Sequence, residues 1–120
     1  RLYAEIHRVL GPGGRFAFQE IIAGDAATTY FPLPWATHPA DSCLIPADEL
    51  LALLAATGFA TELFEDTSEA HLRATPTPAA PGQLTIAVYV DDLGQKAGNA
   101  RLSFQEGQLR LVRGVFQSQP

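Results

Sequence analysis

Methionine is absent from the chain, and cysteine and lysine each occur once. A solitary Cys43 builds neither a disulfide framework nor a cysteine-based zinc site, and the expected compartment is the reducing cytoplasm. Long apolar runs are missing too. No window approaches the ~20 apolar residues of a membrane span. The opening residues Arg1 to Glu5 carry an acid where a signal peptide has its apolar segment. No membrane partner is expected. Basic residues are scattered, and eight Lys and Arg against thirteen Asp and Glu leave a formal charge of −5. Nucleic-acid binding needs clustered basic residues, so nucleic acid is not an expected partner. The missing initiator Met predicts that the chain starts inside a longer one. What remains, 120 residues with 47% apolar content, suits one domain with a modest core.

Leu2, Ile6, Val9 and Leu10 recur at helical spacing. No Ser, Thr, Asp or Asn precedes them as a cap. Gly11-Pro12-Gly13-Gly14 ends this helix. Residues 15–22 then alternate with apolar side chains on both faces, the pattern of a central strand. Helix, glycine turn and buried strand form one step of an α/β sheet. Residues 23–46 break the pattern with Pro32, Pro34, Pro39 and Pro46 around Tyr30, Phe31 and Trp35. Long irregular loops in compact domains often cover a functional site. Pro46, Asp48 and Glu49 open a second helix, which Gly58 closes. A strand is predicted over 59–66 and a short helix over 67–73. The low-complexity stretch 74–82 reads as a mobile connector. Residues 84–90 are ambiguous between strand and helix. A helix is favoured, continuing towards residue 106 with a break near Asp92 or Gly94. Residues 108–117 form the last strand, in which Gly114 suggests a bulge or a close backbone approach.

The run Arg8-Val9-Leu10-Gly11-Pro12-Gly13-Gly14-Arg15-Phe16-Ala17-Phe18-Gln19-Glu20, with Leu2, Glu5 and Ile6 before it, resembles a segment of class I S-adenosylmethionine-dependent methyltransferases. The resemblance is to the part leading into and through their fifth strand, in the small-molecule type related to quinone-biosynthesis enzymes. The Gly58-Phe59 step into a strand and the ending Glu106-Gly107 through Phe116 fit the C-terminal half of that family. The resemblance implies the second half of a Rossmann-like fold: a three-stranded mixed sheet in the order 5-7-6 with flanking helices. The last strand should lie between the other two, antiparallel to both. It also implies S-adenosylmethionine as the cofactor of an intact enzyme. In the family the cofactor rests on a glycine-rich turn after the first strand and on an acid ending the second. Neither element is in this sequence, and Gly11–Gly14 precedes a strand instead of following one. No cofactor is therefore expected on this piece alone.

Candidate site residues follow from position. Glu20 lies near the C-terminal end of the first strand, where open α/β sheets bind ligands; it can orient a substrate, or simply be satisfied by backbone N–H groups. Tyr30, Phe31 and Trp35 can form an apolar wall for a substrate, or anchor the loop into the core. His38 is a general-base candidate, though a surface histidine is the commoner case. His7 and His71 read as structural or solvent-facing. Ser42 and Cys43 have no paired base, and His38, Asp41 and Cys43 form no metal pattern. Methyl transfer asks little of side chains, because the sulfonium is already activated and alignment supplies most of the rate. No catalytic residue is assigned. The expected partner is a small-molecule acceptor, with a second copy or the missing N-terminal half covering the open edge of the first strand. The alternative is a non-enzymatic α+β ligand-binding or dimerisation module.

Overall fold

The computed structural model describes residues 1–74 and 77–120. Helix α1 (Leu2–Leu10) leads into strand β1 (Arg15–Ala23). After the long loop, which contains a 3-10 turn at Pro39–Asp41, come α2 (Ala47–Ala56) and β2 (Phe59–Asp66). Then follow α3 (Ser68–Arg73), a 3-10 turn at Ile86–Val88, α4 (Leu93–Gln105) and β3 (Leu109–Ser118). Residues 75 and 76, in the expected connector, lie outside the described part.

The sheet order is β1-β3-β2, with β3 antiparallel to both neighbours. The expected insertion of the last strand is therefore observed. The expected mixed sheet is not: β3 separates β1 from β2, so both pairings among the described residues are antiparallel. Pairing with β1 is regular from Arg15↔Gln117 to Ala23↔Leu109. Pairing with β2 slips by one residue between Thr61 and Leu63, so the bulge lies in β2 and not at Gly114. Gly114 instead gives a close approach. A Cβ there would sit 2.4 Å from the Phe116 ring, which is fully buried. The missing side chain leaves room for that ring to stack on Phe18, centroids 5.3 Å apart and planes 5° from parallel.

Each face of the sheet has its own core. Ile22, Val112, Phe116 and Phe59 pack with Leu50 and Leu54 of α2, and Tyr3, Ile6 and Leu10 of α1 join them. On the other face, Leu109 packs with Leu33 of the loop and Phe104 of α4, joined by Ile21, Phe31, Trp35 and Leu72. Alternation along β1 makes this division, even-numbered side chains on one face and odd-numbered on the other. His7, read as structural or solvent-facing, is a half-buried tie. Its Nε2 lies 3.0 Å from the Gln119 carbonyl oxygen, and its ring meets Phe59 edge-on.

Residues 84–90 do not form the favoured α-helix. Three of them make a 3-10 turn, and Leu84, Ile86, Val88 and Tyr89 are exposed. The break falls at Asp92, whose left-handed backbone (φ 53°) cannot continue a helix. The second edge of β1 has no strand beside it among the described residues. At its end, the Ala23 N–H donates to the Ile45 carbonyl at 3.0 Å.

Two glycines test this packing in opposite directions. A Cβ on Gly24 would meet the Gly107 carbonyl oxygen at 2.1 Å, whereas one on Gly94, inside α4, meets nothing within 4 Å. Gly24→Ala should cost about 1–3 kcal/mol, and Gly94→Ala should stabilise by about 0.5–1 kcal/mol. Urea unfolding midpoints of the two variants check both signs.

Candidate functional site

The loop after β1 is held at its root by backbone crossing. The Gly24 N–H donates to the Gln108 carbonyl at 2.9 Å, and Ala26 N–H to Gly107 at 3.3 Å. Side chains then fasten it to the turn between α4 and β3. The Gln108 amide accepts from Thr29 N–H at 3.0 Å, and its Nε2 donates to Glu106 at 3.2 Å. The Tyr30 hydroxyl donates to Glu106 Oε1 at 2.7 Å. That hydrogen bond, with burial and the carboxylate charge adding to it, raises the phenol above its ordinary value of 10.0. Further along, Asn99 Nδ2 donates to the Pro32 carbonyl at 2.9 Å, and Leu33 and Ala36 exchange backbone hydrogen bonds. Trp35 Nε1 donates to Ser42 Oγ at 3.3 Å. The loop is thus folded down on α4.

An ion pair adds to the root. Arg110 reaches Asp25 at 2.6 Å and Asp66 at 3.4 Å. Burial pushes the Asp66 carboxyl up, but hydrogen bonds from Ser68 and the Arg110 charge outweigh it and leave it below 3.8. Its stabilising effect is therefore present at neutral pH and is lost as pH falls through that lowered value.

Between this loop and the α3–α4 pair lies an open cavity of about 660 Å³. Ile21 of β1 forms its floor, Pro34 and Trp35 one wall, and His71 the α3 side. Helix α4 supplies Ala97, Gly98, Ala100, Arg101 and Phe104. Its volume is in the range of small-molecule sites, and its lining is mostly apolar with few polar groups, as such sites are. Two smaller cavities flank the strand end. One, of about 320 Å³, is lined by residues 23–28 and Phe31. The other, of about 260 Å³, holds Glu20, Tyr3 and Cys43.

The predicted site residues do not converge. Trp35 lines the large cavity, while Phe31 lines the smaller one at the loop root. Glu20 lies on the α1 and α2 side of the sheet, because its even position on β1 points it away from Ile21. Tyr30 is engaged by Glu106. His38 is exposed and lines none of these three cavities. His71, read as structural or solvent-facing, stands edge-on to Phe104 with ring centroids 5.0 Å apart, and it lines the large cavity. The sequence signal overlooked was the small residues Ala97, Gly98 and Ala100 of α4, which leave the space beside the helix unfilled. No group of His, Cys, Asp and Glu among the described residues can hold a metal.

The glycine turn does not fit a nucleotide-type cofactor. Gly11 N–H donates to His7, Gly13 N–H to Ser118 and Gly14 N–H to Gly11, at 3.2, 2.8 and 3.3 Å. A Cβ on Gly14 would meet Leu10 at 2.8 Å. These donors serve the fold, at the end of β1 opposite the loop.

No family model matches the chain, and no curated protein does. Solved structures do. The chain is similar to the [4+2]-cyclase SpnF, with 22% identity and a TM-score of 0.56 over 98% of this chain and 43% of the cyclase. It is also similar to phosphoethanolamine N-methyltransferase 2 of Haemonchus contortus, solved with phosphomonomethylethanolamine and S-adenosylhomocysteine. There the identity is 13% and the TM-score 0.56, over 99% of this chain and 29% of that enzyme. The chain spans less than half the length of either. The shared feature is the fold: a methyltransferase-like α/β arrangement. No described helix is long and apolar enough to cross a membrane.

Tyr30→Phe should lower the stability slightly, through loss of the hydrogen bond to Glu106. The part that depends on the neutral phenol is present below pH 10 and disappears as pH rises through the raised folded-state value. Alkaline absorbance titration should show one late-titrating tyrosine fewer in the variant.

Proposed function

We propose that this chain is the C-terminal, substrate-side part of a class I S-adenosylmethionine-dependent methyltransferase-type domain that acts on a small molecule. The observation that carries the reading is the apolar cavity between the Trp35 loop and α4, on a sheet of order β1-β3-β2 that this reading takes as strands 5-7-6 of that fold. Support comes from the neighbour that holds S-adenosylhomocysteine and from the sequence resemblance through Gly11–Glu20. In this reading the cavity takes the apolar part of the acceptor. Trp35 lines it and Phe31 packs with the same core, Glu20 on the opposite face and the exposed His38 lie outside it, and the cofactor is held by the half that the chain does not include. This piece alone is inactive. The chain's own contribution is to orient the acceptor and exclude water from its apolar part; when bound, the cofactor supplies an activated methyl group.

The same fold serves a cyclase in one neighbour, so it does not by itself fix the reaction. The test is therefore made on binding. Calorimetric titration with S-adenosylmethionine should give no binding to this chain. Titration with 4-phenylbutyramide should shift the NMR signals of the Trp35 indole and the Phe104 ring. Tight cofactor binding contradicts the division of the site, and a cavity that takes no small molecule contradicts its role.

The open edge of β1 leads to a second expectation. Arg15, Ala17, Gln19 and Ile21 direct their backbone groups away from β3, as follows from Gly24 and Gly14 bonding towards it. Exposed Leu2 and Val9 lie on the adjoining helix α1. An unpaired apolar edge recruits another strand, and isolated chains should pair two-fold through it. Light scattering should give twice the monomer mass, and Ala17→Pro, which removes an outward N–H, should return it to the monomer with unchanged circular dichroism. A dilute wild-type monomer rules the pairing out.

A further inference from the structure

Most of the arginines are paired with carboxylates at the surface. Arg8 lies against Glu5, Arg15 against Glu62, Arg73 against Glu69, Arg110 against Asp25 and Asp66, and Arg113 against Glu65. Arg1, Lys96 and Arg101 stand outside these pairs, and of the three only Arg101 lines one of the cavities described above. Among the described residues it has no carboxylate partner, although the chain carries thirteen acids. Its Nη2 donates to the Leu72 carbonyl at 3.1 Å, which fixes the guanidinium between α3 and α4 and leaves most of its five donors uncommitted. It lines the 660 Å³ cavity, together with His71 and with no carboxylate among the described lining residues. An unmatched, tethered cation beside an apolar hollow is a recognition element for one charge sign.

We propose that the cavity selects a small amphipathic anion. Its apolar body rests against Trp35, Phe104 and Ile21, and its oxyanion, a carboxylate or a chemically similar group, is bound by Arg101 with the His71 ring beside it. This deepens the reading of the cavity as the acceptor site and rests on it. Gly98 gives independent control of the space. It lines the cavity, and a Cβ there meets nothing within 4 Å, so the wall has room for a side chain at this position.

The chain's single tryptophan, Trp35, reports occupancy by its fluorescence. Two ligands of nearly equal shape separate charge from volume: 4-phenylbutyrate and its uncharged amide, 4-phenylbutyramide. Wild-type protein should bind the acid about tenfold more tightly than the amide, the size of one charge-assisted hydrogen bond. Arg101→Gln keeps a donor for the Leu72 carbonyl but loses the charge; it should bind both ligands equally, at the wild-type amide affinity. Gly98→Leu should lose both ligands while remaining folded. Equal binding of acid and amide by the wild type, or a preference for the acid that survives Arg101→Gln, overturns the anion selectivity and leaves the cavity reading intact. Binding of both ligands undiminished in Gly98→Leu, or of neither ligand to the wild type, overturns the cavity reading as well.

Discussion

Strand β3 is hydrogen-bonded along both edges, and the rest of the molecule depends on that insertion. It joins β1 and β2, which are not paired with each other in the sheet. Its side chains Leu109, Val112 and Phe116 are buried and feed the cores on both faces. The strand comes last in the chain, so about ninety residues separate it from its partner β1, and the sheet closes only when the two ends of the sequence meet. The ends are fastened accordingly. Ser118 exchanges backbone hydrogen bonds with Gly13 and Gly14, and Gln119 N–H donates to the Gly58 carbonyl at 2.8 Å. The N-terminal glycine turn is thus a latch for the C-terminal strand, and this use of its donors is what makes it unsuitable as a ligand cradle.

Two consequences follow for the site. The register of β1 against β3 fixes which of its side chains face α4, and a shift of one residue would exchange Ile21 for Glu20 under the loop. The polar knot of Thr29, Tyr30, Glu106 and Gln108 then holds the loop over that face, and the small residues of α4 leave the hollow beside it. The cavity is therefore produced by parity, anchoring and missing volume, without a cluster of reactive side chains. This fits chemistry in which positioning the acceptor matters more than acid or base groups.

Much of the architecture was legible because its signals are local. The Gly-Pro-Gly-Gly stop, the two-faced apolar pattern of β1, the Pro-Asp-Glu opening of α2 and the glycine ending it each have a backbone reason. The central position of β3 was legible from the resemblance. Residues 84–90 were misread because an apolar run does not distinguish a packed helix from an unpartnered turn; the left-handed Asp92 decides it. The cavity was largely hidden. Trp35 was legible as an aromatic on a proline-rich loop. Arg101 and His71 were not, because their meaning depends on which carboxylates they lack and which helix they face. Glu20 was placed by its nearness to the strand end, when its parity sends it to the opposite side of the sheet.

The central claim is the strand order and its register, because the faces, the loop and the cavity all follow from them. Nuclear Overhauser spectroscopy reads both directly. Antiparallel strands bring the α-protons of their non-hydrogen-bonded pairs together. Strong contacts are expected in one sample between the α-protons of Gln19 and Arg113 and between those of Phe64 and Gly114, matching the register of β3 with each neighbour. Contacts pairing β1 directly with β2, or Arg113 with Glu20 in place of Gln19, would contradict the account.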